Sequence, residues 1–259
     1  MTRPRLSLCC LENRLTPSAA QYAAALNTGS APIVNVYDNT GLLYTVTPYD
    51  PAFRGGVRVA MGDINGDGVP DLVTAAGTGG GPHIKVFDGV THAVINQFLA
   101  YDSAFTGGVY VATGDVDGNG SVDIITGAGR GGGPHVKAFD GMTGAVISSF
   151  FAYNTAFRGG VSVAAGDVQG DGAAEIITGA GFGGGPHVRV FDKSGGVLSE
   201  FMAYTPTFTG GIYVAAGNID GVGKDEIITG TLVDGGPHVK AFDATGAVVA
   251  SFMAYDPTS

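Results

Sequence analysis

From Gly56 to the end of the chain, apolar residues come in short runs divided by clusters of Gly, Asp, Asn and Pro. This is the pattern of strands separated by tight turns. Val57 to Ile64 puts Val57, Val59 and Met61 on one face. Asp71 to Ala76 is an almost continuous apolar run, as expected of a strand covered on both sides. His83 to Asp88 alternates Ile84 and Val86 against His83, Lys85 and Phe87, and after an Asp88-Gly89 turn a fourth run extends from Val94 to Tyr101. A helical period is suggested only at Ala19 to Leu26, ahead of these runs. The pattern predicts an all-β chain.

The same order of runs then recurs. Gly-Gly-Pro-His places its histidine at His83, His135, His187 and His238, spaced 52, 52 and 51 residues apart. A Phe-x-Gly-Gly element begins at Phe53, Phe105, Phe157 and Phe208, and a tyrosine step falls at Tyr49, Tyr101, Tyr153, Tyr204 and Tyr255. Four antiparallel strands in a unit of about 52 residues is the arithmetic of a β-propeller blade. A linear stack of small sheets is the alternative, and a β-helix would need a far shorter period. The repeats fall at 56–107, 108–159, 160–210 and 211–259, preceded by a half repeat at 31–55, or about four and a half copies in all. A half blade without its inner strands implies an incomplete ring, further blades in a longer protein, or self-association through an unpaired blade edge.

Composition narrows the partners. The 45 glycines lack the triplet period of collagen and point to many tight turns. Thirteen basic against 23 acidic groups leave a net charge of −10, which disfavours nucleic acid and suits a cation. No apolar run reaches the ~18 residues of a membrane span, so no membrane insertion is expected. Cys9 and Cys10 are adjacent and outside the repeats, so no disulfide framework staples them. Residues 1–30 read as a leader, targeting or disordered segment. Within it, Leu11-Glu-Asn-Arg-Leu-Thr-Pro-Ser18 resembles a short Leu-Glu-x-Arg element at the start of some large bacterial surface proteins, which implies a secreted or cell-surface location.

The candidate chemistry lies between the first and second strands of each unit. Asp63, Asn65, Asp67 and Asp71 stand at positions one, three, five and nine of a loop with glycine at six, and Val69 offers its carbonyl at seven. Calcium takes six to eight hard oxygens, and alternate residues of a tight turn can aim theirs at one point. Asp115, Asp117, Asn119, Ser121 and Asp123 repeat the set with Asp and Asn exchanged. In the third loop Asp167 and Asp171 remain, Gln169 takes position three, Ala173 position seven and Glu175 position nine, which predicts a weaker site. The fourth runs from Asn218 through Asp220 to Glu226, but Val222 supplies no side-chain oxygen and Lys224 adds a positive charge. It is expected to be a turn that does not bind. The bland reading of all four loops is an ordinary Asp/Asn/Gly turn.

Val59-Ala-Met-Gly-Asp63-Ile-Asn-Gly-Asp-Gly-Val-Pro-Asp71-Leu resembles the FG-GAP repeat of integrin α-subunit propellers and their bacterial relatives. The resemblance spans 31–259 and implies a propeller with Ca2+ in its loops, used in adhesion, carbohydrate-binding or scaffold proteins. The Gly-Gly-Gly-Pro-His insert and the low blade count depart from that pattern. The functional expectation is therefore a non-enzymatic, calcium-binding adhesion or ligand-binding module taking a glycan or protein ligand. Its alternatives are a calcium-rigidified spacer and a carbohydrate-active or other hydrolytic propeller. Arg54, Thr106, Arg158 and Thr209, and likewise Arg58, Tyr110, Ser162 and Tyr213, differ between copies but form no nucleophile–base pair. The four repeated histidines belong to different blades and are expected to pack or hydrogen-bond, not to share a metal.

Overall fold

The computed structural model describes residues 6–9 and 21–256. Its strands form five four-stranded antiparallel sheets, each a simple meander, arranged as the blades of a β-propeller. Blade one comprises β1 (Leu6–Cys9), β2 (Tyr22–Leu26), β3 (Val34–Asp38) and β4 (Gly41–Val46). Blade two holds β5 (Val57–Gly62), β6 (Asp71–Ala76), β7 (His83–Phe87) and β8 (Val94–Leu99). Blade three holds β9 (Val109–Gly114), β10 (Asp123–Ala128), β11 (His135–Asp140) and β12 (Val146–Phe151). Blade four holds β13 (Val161–Gly166), β14 (Glu175–Ala180), β15 (His187–Phe191) and β16 (Val197–Met202). Blade five holds β17 (Ile212–Gly217), β18 (Glu226–Thr231), β19 (His238–Phe242) and β20 (Val248–Met253).

The all-β repeat expected from the sequence is present, but the count changes. Blade one is whole: β1 and β2, drawn from the segment read as a leader, pair in register from Leu6↔Leu26 to Cys9↔Ala23 and supply the strands the half repeat lacked. Of the helical period suggested at Ala19 to Leu26, Tyr22–Leu26 forms a strand instead, because Ala23 and Ala25 alternate into the core against Val57, Val59 and Leu72 of blade two, while Ala19 and Ala20 lie outside the described residues. The Leu11–Ser18 element lies outside the described residues. Among the described residues, no helix is long and apolar enough to cross a membrane.

The core lies between blades. One cluster joins Val73, Ile84 and Val86 of blade two to Val109, Val111, Ile124 and Phe139 of blade three. The second strands β6, β10 and β14 are buried along their whole length, as their unbroken apolar runs require. The Phe-x-Gly-Gly elements mark where blades touch backbone to backbone. A Cβ at Gly56, whose φ is 79°, would lie 2.8 Å from Thr28 N of blade one, and one at Gly55 would lie 2.1 Å from the Thr78 carbonyl of its own blade, so neither position admits another residue without strain.

The tyrosine steps and the Gly-Gly-Pro-His elements lock together. Tyr49, Tyr101, Tyr153 and Tyr204 donate their hydroxyls to the carbonyls of His83, His135, His187 and His238 at 2.8, 2.9, 2.8 and 2.8 Å. The rings of each pair are also in contact. The histidines thus have the repeated packing role expected of them. His92, which reads as a solvated loop residue, is exposed in its turn and also stacks on Tyr44 of blade one with centroids 3.8 Å apart.

Candidate metal centre

Each candidate loop connects the inner strand of a blade to its buried second strand. The residue at position one caps the turn. Asp63 accepts the N–H groups of Asp67 and Gly68 at 3.0 and 2.9 Å. Asp115 accepts those of Gly118, Asn119 and Gly120 at 2.8, 3.1 and 2.7 Å. Asp167 does the same for Gly170, Asp171 and Gly172. Such local bonds hold the loop's shape without help from an ion.

The residue at position nine anchors the loop from below. Asp71 Oδ2 accepts the N–H groups of Ile64 and Asn65 at 2.9 and 3.1 Å, while its Oδ1 accepts Gly89 N–H at 2.8 Å. Asp123 Oδ2 accepts Val116 N–H at 3.0 Å. Its Oδ1 is buried with no hydrogen-bond partner, although Asp123 is 0% exposed. Glu175 accepts Gln169 N–H at 3.0 Å.

The loops differ in what they gather. Asp115, Asp117 and Asp123 bring one carboxylate oxygen each to within 4.8 Å of one another, the one such acidic cluster among the described residues. Asn119 lies beside them, its Oδ1 accepting Ser121 N–H at 2.7 Å. In the first loop, Asn65 turns its amide nitrogen to Asp67 and Asp88 at 3.1 and 2.9 Å. Val69 and Ala173 are held at position seven by N–H bonds to the aspartates at position five, at 2.8 and 3.0 Å. Asp88 is a carboxylate at this rim that the sequence reading treated only as a turn residue. Its signal was the aspartate closing the third strand of every copy: Asp38, Asp88, Asp140, Asp192 and Asp243.

Burial without a counter-charge governs the electrostatics. It pushes the Asp123 carboxyl up to about 7; Val116 N–H holds it down in part, and the Asp117 and Asp115 carboxylates add to the rise. Glu175 is raised by burial to about 7 as well, with Asp171 and Asp167 adding to the rise. Asp71 is raised by burial too, but the N–H groups of Gly89, Asn65 and Ile64 oppose it. A divalent cation beside Asp123 would supply what its orphan oxygen lacks. The all-oxygen donor set of Asp115, Asp117, Asn119 and Asp123 suits a hard ion such as calcium.

Neighbouring loops are joined across blades. Ala174 N–H donates to Asp115 O at 2.7 Å, and Asp225 N–H to Asp167 O at 3.0 Å. Cations also arrive from the following blade. Lys193 Nζ donates to Asp117 O at 3.1 Å, and the stem of Lys224 lies against Gly170 of the third loop.

Of the positions that vary between copies, Arg58, Tyr110, Ser162 and Tyr213 meet one another or backbone across blades, while Arg54 and Arg158 brace their own turns. Arg58 sits 3.8 Å over the Tyr110 ring and donates to Val109 O at 3.1 Å. Ser162 donates to Ile212 O at 2.9 Å, and Tyr110 meets Tyr213 edge-on at 6.1 Å. Arg54 donates to Pro51 O and Phe53 O at 2.5 and 2.9 Å, and Arg158 bonds the equivalent carbonyls of Thr155 and Phe157.

The FG-GAP repeat family matches residues 55–94, which hold the first loop and the first three strands of blade two. No curated protein sequence matches the chain. Among solved structures it is similar to the exotype rhamnogalacturonan lyase YesX, at 16% identity and a TM-score of 0.54, covering 92% of this chain and 47% of that one. Rhamnogalacturonan lyase YesW follows at 14% and 0.53, covering 88% and 50%. A chain of the Mitotic Checkpoint Complex gives 14% and 0.56, covering 91% and 64%. The chain thus spans about half the length of the two lyases, and at these identities the likeness is one of fold. The chain is a β-propeller of five four-stranded blades, with an FG-GAP repeat in its second blade.

Proposed function

We propose that this chain is a non-enzymatic, calcium-binding FG-GAP module that acts in adhesion or ligand binding at a cell surface or in the secreted space. One observation carries the metal reading: three carboxylates converge within 4.8 Å, one belonging to a fully buried aspartate whose second oxygen has no partner. Asp115, Asp117, Asn119 and Asp123 would hold the ion, with Ser121 lending its carbonyl. Asp63, Asn65, Asp67, Val69 and Asp71 form the related first set, and Asp167, Gln169, Asp171, Ala173 and Glu175 a weaker third. The bound ion would supply positive charge and fix the loop.

Loops already braced by N–H bonds, with solvent-facing ligands, suit the modest affinities of extracellular calcium modules. The non-enzymatic reading draws on the positions that vary between copies, which present no nucleophile beside a base. A hydrolytic or carbohydrate-active alternative has only the fold shared with the lyases behind it. The loop-to-loop bonds between blades favour a second reading, in which calcium stiffens a spacer that holds no ligand.

Calorimetric titration with calcium tests the metal. Saturable binding is expected, with the second-loop site lost in Asp117→Asn, and no heat at millimolar calcium defeats the reading. A glycan array with and without chelator separates module from spacer, because reproducible calcium-dependent hits exclude the spacer.

A further inference from the structure

Three of the four internal blade boundaries are built alike. Phe98 of blade two packs on Phe139 of blade three with centroids 4.7 Å apart. Phe150 packs on Phe191, and Phe201 on Phe242, each at 4.8 Å. Beside these pairs, Val73, Ile125 and Ile177 are 0% exposed, and Ile64, Val116 and Val168 are covered by the blade that follows.

The last blade carries the same face with no blade over it among the described residues. Phe252 stands where Phe98, Phe150 and Phe201 stand, and is 55% exposed. Ile219, the counterpart of Ile64, is 50% exposed, and Ile228 and Val239 are half-buried where their counterparts are sealed. The first blade carries the opposite half of the boundary. Tyr37 pairs with Tyr22 across the strands just as Phe139 pairs with Ile124, so it holds the position of the receiving phenylalanine. Tyr22 and Tyr37 stack at 5.4 Å on the face turned away from blade two, alongside the half-buried Ala24.

We propose that these two faces are the halves of one interface, and that a second copy of this chain docks its first blade on the fifth blade of the first. The occupant is specified by continuity. Three boundaries within the chain already join these same positions, and the fifth and first blades supply one further donor face and one further acceptor face. The surfaces at issue are blade faces, not the unpaired sheet edge expected from a half blade. Such a contact is heterologous, so it propagates head to tail until it closes or runs on. Each copy carries a net charge of −10, so salt should strengthen the association by screening repulsion. The proposal is independent of the metal reading.

The test is sedimentation velocity of the intact chain from about 1 to about 100 μM, in low and high salt. Wild-type protein should form species larger than a monomer, increasingly so with concentration and salt. Ile228→Asp, on the fifth blade, and Ala24→Arg, on the first, should each be monomeric. Mixed one to one, they should form a dimer that grows no further, since each retains the half the other has lost. Phe252→Ser serves as a second fifth-blade variant, and an unchanged circular dichroism spectrum certifies that each variant folds. A wild-type monomer throughout the range overturns the proposal. So does Ala24→Arg protein that still self-associates, because the contact would then join like faces.

Discussion

The loops at 115–123 and 218–226 have the same turn and different chemistry. In both, position one caps the backbone: Asp115 accepts three N–H groups, and Asn218 accepts Gly221 N–H at 2.6 Å. In both, position nine reaches back under the loop, Asp123 to Val116 N–H and Glu226 to Ile219 N–H at 2.8 Å. Glycines with positive φ stand at the same places, Gly118 and Gly120 in one and Gly221 and Gly223 in the other. Yet only the first gathers three carboxylates, because Asn218 stands where Asp115 does, and Val222, 73% exposed, also replaces the side-chain oxygen of Asn119. The turn is therefore a property of the cap, the glycines and the anchor, while ion capture needs in addition a carboxylate at position one and an oxygen at position five. One can be lost without the other.

The sharpest way to break that comparison is Asp123→Asn. With calcium, wild-type protein should melt higher by roughly 5–10 °C for a site saturated a hundredfold above its Kd. Asparagine keeps an acceptor for Val116 N–H but removes the buried charge. The variant should lose most of the calcium response and melt higher than wild type in chelator. Scanning calorimetry in both buffers reads the two signs. A variant that melts lower in chelator would mean that the orphan oxygen is not under strain.

The pH dependence follows from the same carboxyls. Asp123 and Glu175 titrate near 7 in the folded chain and in the usual carboxylate range when unfolded. Between those values the folded state holds more protons, so in chelator stability falls as pH rises from about 4 to beyond 7. Calcium binds the ionised form, so its stabilising increment should grow with pH over the same window. Urea unfolding at pH 5 and pH 8, with and without calcium, checks both slopes. A chelator stability that rises with pH across this window would contradict the burial of these groups.

Blades two to five were legible because each repeats its own turn signals, and a buried strand such as Asp71–Ala76 declares itself by its composition. Blade one was not. Its inner pair lacks the loop motif, and Tyr22-Ala-Ala-Ala-Leu26 reads as well for a helix until the strands beside it decide. At the site, positions one, three, five and nine could be read from spacing alone. The burial of Asp123 could not, nor could Lys193, which meets Asp117 from 76 residues away. These depend on how one blade seats on the next, and no local pattern encodes that.

The comparison can also be reversed by building. Asn218→Asp with Val222→Asp restores carboxylates at positions one and five beside Asp220 and Glu226. The turn already exists and Val222 faces solvent, so the double variant should fold unchanged and bind one further calcium ion. The expected gain in melting temperature is smaller than that of the native second loop. Calorimetric stoichiometry is the readout, and an unchanged number of sites would show that position five is not what the fourth loop lacks.

The smallest effect concerns the cation shared between loops. The sequence places Lys224 in the fourth loop, but its stem lies against Gly170, so its charge acts on the third loop from the blade that follows. An exposed charge of this kind is worth up to about 1 kcal/mol. Lys224→Ala should therefore tighten calcium at Asp167 and Asp171 by a few-fold, and more at low salt than at high. The second loop, which meets Lys193 instead, should not respond. Titrating the variant in an Asp117→Asn background isolates the third loop from the second. Equal affinities with and without Lys224 would place the weakness of that loop in Gln169 and Glu175 alone.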